Sequence, residues 1–341
     1  MKERNETLDA LKGISALLVV LGHCVQYYYL ESYTQNYVFN FIYAFHMPFF
    51  MALSGYSCGY SECDNAWIKR RIVRLLVPFF VWAIIKFFLT SPLGEYTLAG
   101  IVVGLLMHLW NTIQNPSGGL WFLYVLCIES VFLWLLQKSR HIQKLTVVLM
   151  VVCIIIVLSG WKEYRFGVKY VIQYFPYVAG GRALYGWKKM RKVTNSVLSR
   201  EMCVLGILLT AIYAYGVSFL RYAGEPLHIE VLQKTFGTVG ATLLARGSEA
   251  YMFPLLGSVV TCLIVSHFKG VAKRMAVVVG RYTLEIYIIH TQLFLNLMGR
   301  VTEFALIEIS VKLIVLTAMA IMLAMLVRKS KLLGRFLLGF G

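Results

Sequence analysis

Residues 8–30 read LDALKGISALLVVLGHCVQYYYL, an apolar run that carries Asp9 and Lys12 near its start and His23 in its far half. A membrane-spanning helix needs roughly 20 apolar residues, and this run meets that length. No small-residue cleavage site follows it, and Tyr27-Tyr28-Tyr29 closes it, so it reads as a retained signal-anchor and not a removed signal peptide. Further along, runs of the same kind or nearly so cover 37–60, 75–91, 119–137, 145–160, 170–187, 202–221, 249–268, 277–298 and 307–328. The pattern predicts an all-α, polytopic membrane protein of about ten transmembrane helices, forming one domain over residues 1–341. An eleventh stretch, 96–110, is shorter and lies between Ser91-Pro92-Leu93-Gly94 and Asn115-Pro116-Ser117-Gly118-Gly119. It fits a span, or a re-entrant or interfacial helix.

Composition agrees with a lipid solvent. The chain is 59% hydrophobic and 14% charged, with a mean hydropathy of +0.70, whereas a soluble domain carries about 25% charged residues. The formal charge of +17 does not point to nucleic acid, because Lys and Arg punctuate apolar runs and do not line one helix face. That arrangement reads as membrane topology and contact with anionic lipid. Seven cysteines are present, none in a C-x-x-C pair, and they read as small buried hydrophobes.

Charge also decides the eleventh stretch. With the N-terminus inside and 96–110 not crossing, the inside segments hold 21 Lys and Arg and the outside segments seven. The inside group includes Lys69-Arg70-Arg71 with Arg74, then Lys138, Arg140 and Lys144, and the cluster at 188–192. A crossing at 96–110 would turn the last two clusters outward, against the positive-inside rule. The expected protein therefore lies in the inner (plasma) membrane with both termini cytoplasmic and 222–248 as the longest outer stretch.

Ionisable groups in hydrocarbon are costly, so each is a functional candidate. His23, His46 and His290 all fall about 10–14 Å inside the outer boundary at 1.5 Å per residue. Three histidines from three helices at one level suggest a shared polar cavity; alternatively each satisfies a neighbouring backbone carbonyl. None is paired at i, i+3 or i+4 as a preformed metal site would be, and no metal is expected. Glu129 and Glu285 are the intramembrane carboxylates. Arg71 and Arg74, at i and i+3, share a helix face and offer forked donors to a phosphate, although the same cluster also serves as an ordinary topology signal. Trp121 opens the fourth span, where tryptophan commonly anchors a helix at the interface.

These residues resemble acyltransferase family 3 of the membrane proteins, most closely its fucose 4-O-acetylase-like branch. The stretch Leu8-Asp9-Ala10-Leu11-Lys12-Gly13 with Leu21-Gly22-His23 is similar to the family's opening, and His46-Met47-Pro48-Phe49-Phe50 with Leu53-Ser54-Gly55-Tyr56 to its second span. Arg71-x-x-Arg74 with Pro78, Gly119-Leu120-Trp121-Phe122-Leu123, and Leu284-Glu285-Ile286-Tyr287-Ile288-Ile289-His290 follow in the family's order. One departure is Lys12, where the family has Arg ahead of the first-span histidine; lysine keeps the charge and loses the bidentate fork.

The resemblance implies ten spans, cytoplasmic acyl-CoA (acetyl-CoA in the simplest case) as donor, and a hydroxyl of a saccharide or lipid-linked glycan as acceptor. Histidine suits base catalysis near neutral pH, which makes His23, His46 and His290 the catalytic candidates. Lys12, Lys69, Arg70, Arg71 and Arg74 are the donor-binding candidates, and Asp9, Trp121, Glu129 and Glu285 those for the acceptor. The competing classes are a transporter, which also uses intramembrane histidine and glutamate, and a non-catalytic scaffold of glycan assembly. Neither an inverted repeat nor matching glycine-broken segments support the transporter.

Overall fold

The computed structural model describes residues 5–60, 63–91, 97–116, 120–190, 208–209, 211–213, 216 and 229–340. Most of the predicted span 202–221, the start of the stretch 222–248 expected outside, Gly118-Gly119, and Lys2, Arg4, Arg191, Lys192 and Arg200 lie outside the described residues. Every regular element among those described is helical. The order is α1 (Glu6–Tyr29), α2 (Tyr37–Tyr43), α3 (His46–Cys58), α4 (Asn65–Thr90), α5 (Leu98–Gln114), α6 (Trp121–Gln137), α7 (Ile142–Ser159) and α8 (Val168–Met190). It continues with α9 (Ile229–Gly247), α10 (Phe253–Ser266), α11 (Gly270–Arg281), α12 (Thr283–Ile289), α13 (Ala305–Arg328) and α14 (Lys331–Leu338).

Six described stretches are long and apolar enough to cross a membrane: Glu6–Gln35, Tyr37–Cys58, Asn65–Thr90, Ile142–Ser159, Gln233–Ser266 and Ala305–Arg328. Two shorter apolar helices, Leu98–Gln114 and Trp121–Gln137, accompany them. Polar caps fix where several begin. Asn5 accepts the Leu8 N–H at 3.0 Å to start α1, and Asp64 accepts the Trp67 N–H at 2.6 Å to start α4. The second of these matters for the basic cluster. The apolar run begins only at residue 75, but the Asp64 cap starts the helix earlier, so Lys69 to Arg74 ride on its first turns.

Three predicted spans are not single helices. The 37–60 run breaks at Phe45 (φ −142°, ψ −21°), so His46 opens α3. The 249–268 run is joined to α9 through a π-helical turn at Ser248–Met252. The 277–298 run starts earlier, at Gly270, breaks at Tyr282, and runs through a π-helical turn at His290–Phe294 into a 3₁₀ turn. The short helix expected at 96–110 extends to Gln114 and has no buried residue.

α1 sits at the centre, touching α2, α3, α10, α11, α12 and α13. Its crossing with α11 is backbone on backbone: a methyl built on Gly280 would lie 1.8 Å from the Asp9 carbonyl oxygen, and one on Gly13 would lie 2.0 Å from that of Ala276. α3 and α8 meet the same way through Gly55 and Gly181. Small residues at such crossings let helices pack closely where no hydrophobic force drives them together in lipid. α13 shows the complementary face, burying Leu316, Ala320 and Ala324 at helical spacing while Ile307, Ile314 and Met322 face outward. α7 buries nothing, and its exposed Val147, Val148, Val151 and Ile155 suit a lipid surface.

Candidate active site

Lys12 and His23 are eleven residues apart on α1. Eleven steps of 100° return to within about 20° of the starting direction, so both side chains leave one face, about 16 Å apart along the axis. That spacing divides the site into a basic end and a histidine end.

At the histidine end, His23 Nδ1 lies 3.1 Å from His290 Nε2, with ring centroids 5.2 Å apart. His290 Nδ1 lies 2.6 Å from the carbonyl oxygen of Ile286, one turn earlier. A carbonyl only accepts, so His290 Nδ1 carries the proton and donates it, which leaves His290 Nε2 as an acceptor. His23 Nδ1–H then donates to His290, and the free lone pair of His23 falls on Nε2. These two hydrogen bonds thus fix both tautomers. His290 is buried and His23 half-buried, so the unpaired nitrogen belongs to the more accessible ring. The π-helical turn that begins at His290 is a form frequent at functional sites.

His46 is joined to this pair indirectly. Its Nδ1–H donates to Ile42 at 2.9 Å, across the break between α2 and α3. Its ring packs on Tyr43, centroids 4.5 Å apart, and the Tyr43 hydroxyl donates to Gln26 of α1 at 3.1 Å. His46, Tyr43, Trp121, Gln173 and Tyr174 line a cavity of about 360 Å³ together with Arg246. Trp121 stacks on Tyr170 and Tyr174 at 4.7 and 5.7 Å, forming a flat aromatic shelf in its wall.

The basic end gathers Lys12, Arg71, Arg74 and Arg328. Lys12 is within electrostatic reach of Asp9, Arg71 and Arg74, and Arg74 of Arg71, Glu285 and Arg328. The i, i+3 arginines diverge. Arg71 turns inward and donates from Nε to Ser130 Oγ at 3.2 Å, whereas Arg74 opens to a cavity that Lys69 and Arg70 also line. Glu285 is buried and ion-paired with Arg328, whose guanidinium lies 4.4 Å from the centre of the Tyr282 ring. In sequence, Arg328 ends the last apolar run, where a basic residue reads as a topology charge; the buried carboxylate of Glu285 is the signal that a cation has to be near. Glu129 is fully buried with both oxygens lacking a protein hydrogen bond, on α6 beside Ser130. Asp9 and Glu285 therefore lie with the cations. Among the described residues, no three His, Cys, Asp or Glu side chains are grouped to hold a metal ion.

An acyltransferase domain of family 3 matches residues 5–329, nearly the whole chain and every residue of this site. The chain belongs to acyltransferase family 3. Membership in acyltransferase family 3, with the six long apolar helices, makes it a multi-pass membrane acyltransferase. No curated protein and no solved structure matches the chain.

Proposed function

We propose that this acyltransferase moves an acetyl or similar short acyl group from cytoplasmic acyl-CoA to a hydroxyl of an extracytoplasmic or lipid-linked saccharide. The observation that carries the reading is the alignment of Lys12 and His23 on one face of α1, with cations around the first and a tautomer-fixed base at the second. Coenzyme A has phosphates at one end and its thiol at the other, joined by a long flexible arm. Lys12, Arg71 and Arg74, with Lys69 and Arg70, hold the phosphates, and the arm runs along α1 to bring the thioester to His23.

The chemistry then balances on one residue. His23 Nε2 takes the proton from the saccharide hydroxyl as that oxygen adds to the thioester carbonyl. The resulting imidazolium keeps its Nδ1–H bond to His290, now charge-assisted. Collapse of the tetrahedral adduct breaks the C–S bond, and the departing thiolate recovers the proton from Nε2. The ester, the free thiol and neutral His23 remain. The aromatic shelf of Trp121 suits a sugar ring, and His46 and Gln173 supply polar contacts beside it. The resemblance to the fucose 4-O-acetylase-like branch supports the saccharide acceptor.

The reading includes about ten spans with both termini and the basic end in the cytoplasm, and α5 as a re-entrant or interfacial helix. The 21 to seven split of basic residues supports it. Incubating the purified protein with labelled acetyl-CoA and lipid-linked saccharide tests the function. Label recovered as an ester on the saccharide is expected; saccharide movement across vesicles without any ester would make the protein a transporter.

A further inference from the structure

The final helix, α14, lies beyond the residues that match the family, yet it is fastened to the heart of the basic end. Trp82 of α4 donates from its indole nitrogen to the Leu337 carbonyl at 2.9 Å. Pro78 has no N–H, so the Arg74 carbonyl one turn earlier lacks its helical donor. Gly339 packs directly onto that carbonyl: a methyl built there would sit 2.1 Å from the oxygen, and its φ of +64° also favours glycine. Arg328 lies 4.5 Å from the centre of the Phe340 ring. Two of these contacts therefore hold the chain end against the middle of α4, and the third ties it to the end of α13.

The consequence is a cavity of about 410 Å³ lined by Lys69, Arg70, Val73, Arg74, Arg335 and Gly339. Four cationic side chains and no carboxylate border it, their aliphatic stems forming much of its wall. All four side chains are exposed at its rim, unlike half-buried Arg328 and Lys312, which are ion-paired with Glu285 and Glu308. Among the described residues, Lys69, Arg70, Arg74 and Arg335 form no ion pair and no side-chain hydrogen bond. Cations held together by the docking of a helix, without a counter-charge, make a site for a multiply charged anion.

We propose that this pocket, with Arg335 on its rim, binds the terminal 3′-phosphate of the coenzyme A nucleotide, making α14 an element of donor specificity. The assignment rests on the donor reading above and refines it. Arg74 is shared between two cation groups. The group containing Lys12 lies on the His23 side, so the diphosphate that leads into the flexible arm belongs there. The 3′-phosphate, at the other side of the ribose, then falls to the pocket of Lys69, Arg70 and Arg335. A phosphate of an anionic lipid headgroup offers the same chemistry.

The test is calorimetric titration of the full-length protein in neutral-lipid nanodiscs with coenzyme A and with 3′-dephospho-coenzyme A. The wild type is expected to bind coenzyme A about ten-fold more tightly, a charge-assisted contact's worth. Arg335→Gln should lose that preference while binding the dephospho form as before, and Arg335→Lys should restore part of it. Gly339→Val, which displaces α14 without removing a charge, should lose the preference too. Equal binding of coenzyme A by wild type and Arg335→Gln overturns the proposal. So does retention of co-purified anionic lipid that depends on Arg335 while the coenzyme A preference does not. Failure of the wild type to bind either nucleotide would remove the donor reading itself, a different result from a preference that ignores Arg335.

Discussion

Replacing His290 with alanine removes the acceptor that fixes His23 in the tautomer with Nε2 free. Before reaction the bond is neutral to neutral, worth about 0.5–1.5 kcal/mol. When His23 holds the hydroxyl proton the same bond is charge-assisted and worth about 1.5–3 kcal/mol. The loss is therefore felt mainly in the transition state. Only the difference, about 1–1.5 kcal/mol, enters kcat, which at 1.36 kcal/mol per decade slows by about 5- to 13-fold. Donor KM should move little, because the phosphate cluster begins about 16 Å away along α1. Initial rates of labelled acyl transfer, on protein shown to be monodisperse after purification, measure both constants. His290→Gln should recover much of the rate, since its amide oxygen can accept the His23 proton. A kcat within two-fold of wild type in His290→Ala, or a loss confined to KM, would refute the relay from Ile286 through His290 to His23.

The double variant Arg71→Ala with Arg74→Ala should weaken acyl-CoA binding by at least ten-fold and leave membrane insertion intact, because Lys69 and Arg70 keep the segment positive; unchanged affinity by calorimetry would reduce the pair to a topology signal. Gly280→Ala drives a methyl into the Asp9 carbonyl and should destabilise the α1–α11 crossing by about 1–3 kcal/mol, seen as a lower thermal midpoint in detergent; an unchanged midpoint would mean that the helices part freely. Single cysteines in a cysteine-free background should label from outside at residue 235 and not at residue 140; the reverse pattern would make α5 a full crossing.

Much of the site was legible in the sequence because its parts are local. The eleven-residue interval from Lys12 to His23 and the Arg71-x-x-Arg74 spacing each fix a helix face without any tertiary information. The partnerships were not legible. His23 and His290 are 267 positions apart, and they meet because the chain breaks at Tyr282 and enters a π-helical turn at His290, a departure from 3.6-residue periodicity that hydropathy does not register. Glu285 reads in sequence as an intramembrane carboxylate and a candidate for the acceptor, whereas its partner Arg328 sits at the end of a different helix, where a basic residue reads as a topology charge. Arg335 carried no signal, since the role of a cation beyond the last apolar run depends on how the final helix folds back. The span boundaries drifted for a related reason: breaks at Phe45 and Tyr282 fall inside apolar runs, where composition stays constant while the backbone changes direction.

The proposed role of His23 as the base for acyl transfer is open to one direct measurement. Purified wild type and His23→Ala are supplied with labelled acetyl-CoA and saccharide acceptor, and ester formation is followed alongside calorimetric donor affinity. Removal of a general base typically costs 10²- to 10⁴-fold. The expected outcome is a loss of that size in His23→Ala with donor affinity unchanged. Turnover near the wild-type rate in a folded, donor-binding His23→Ala protein would contradict the account.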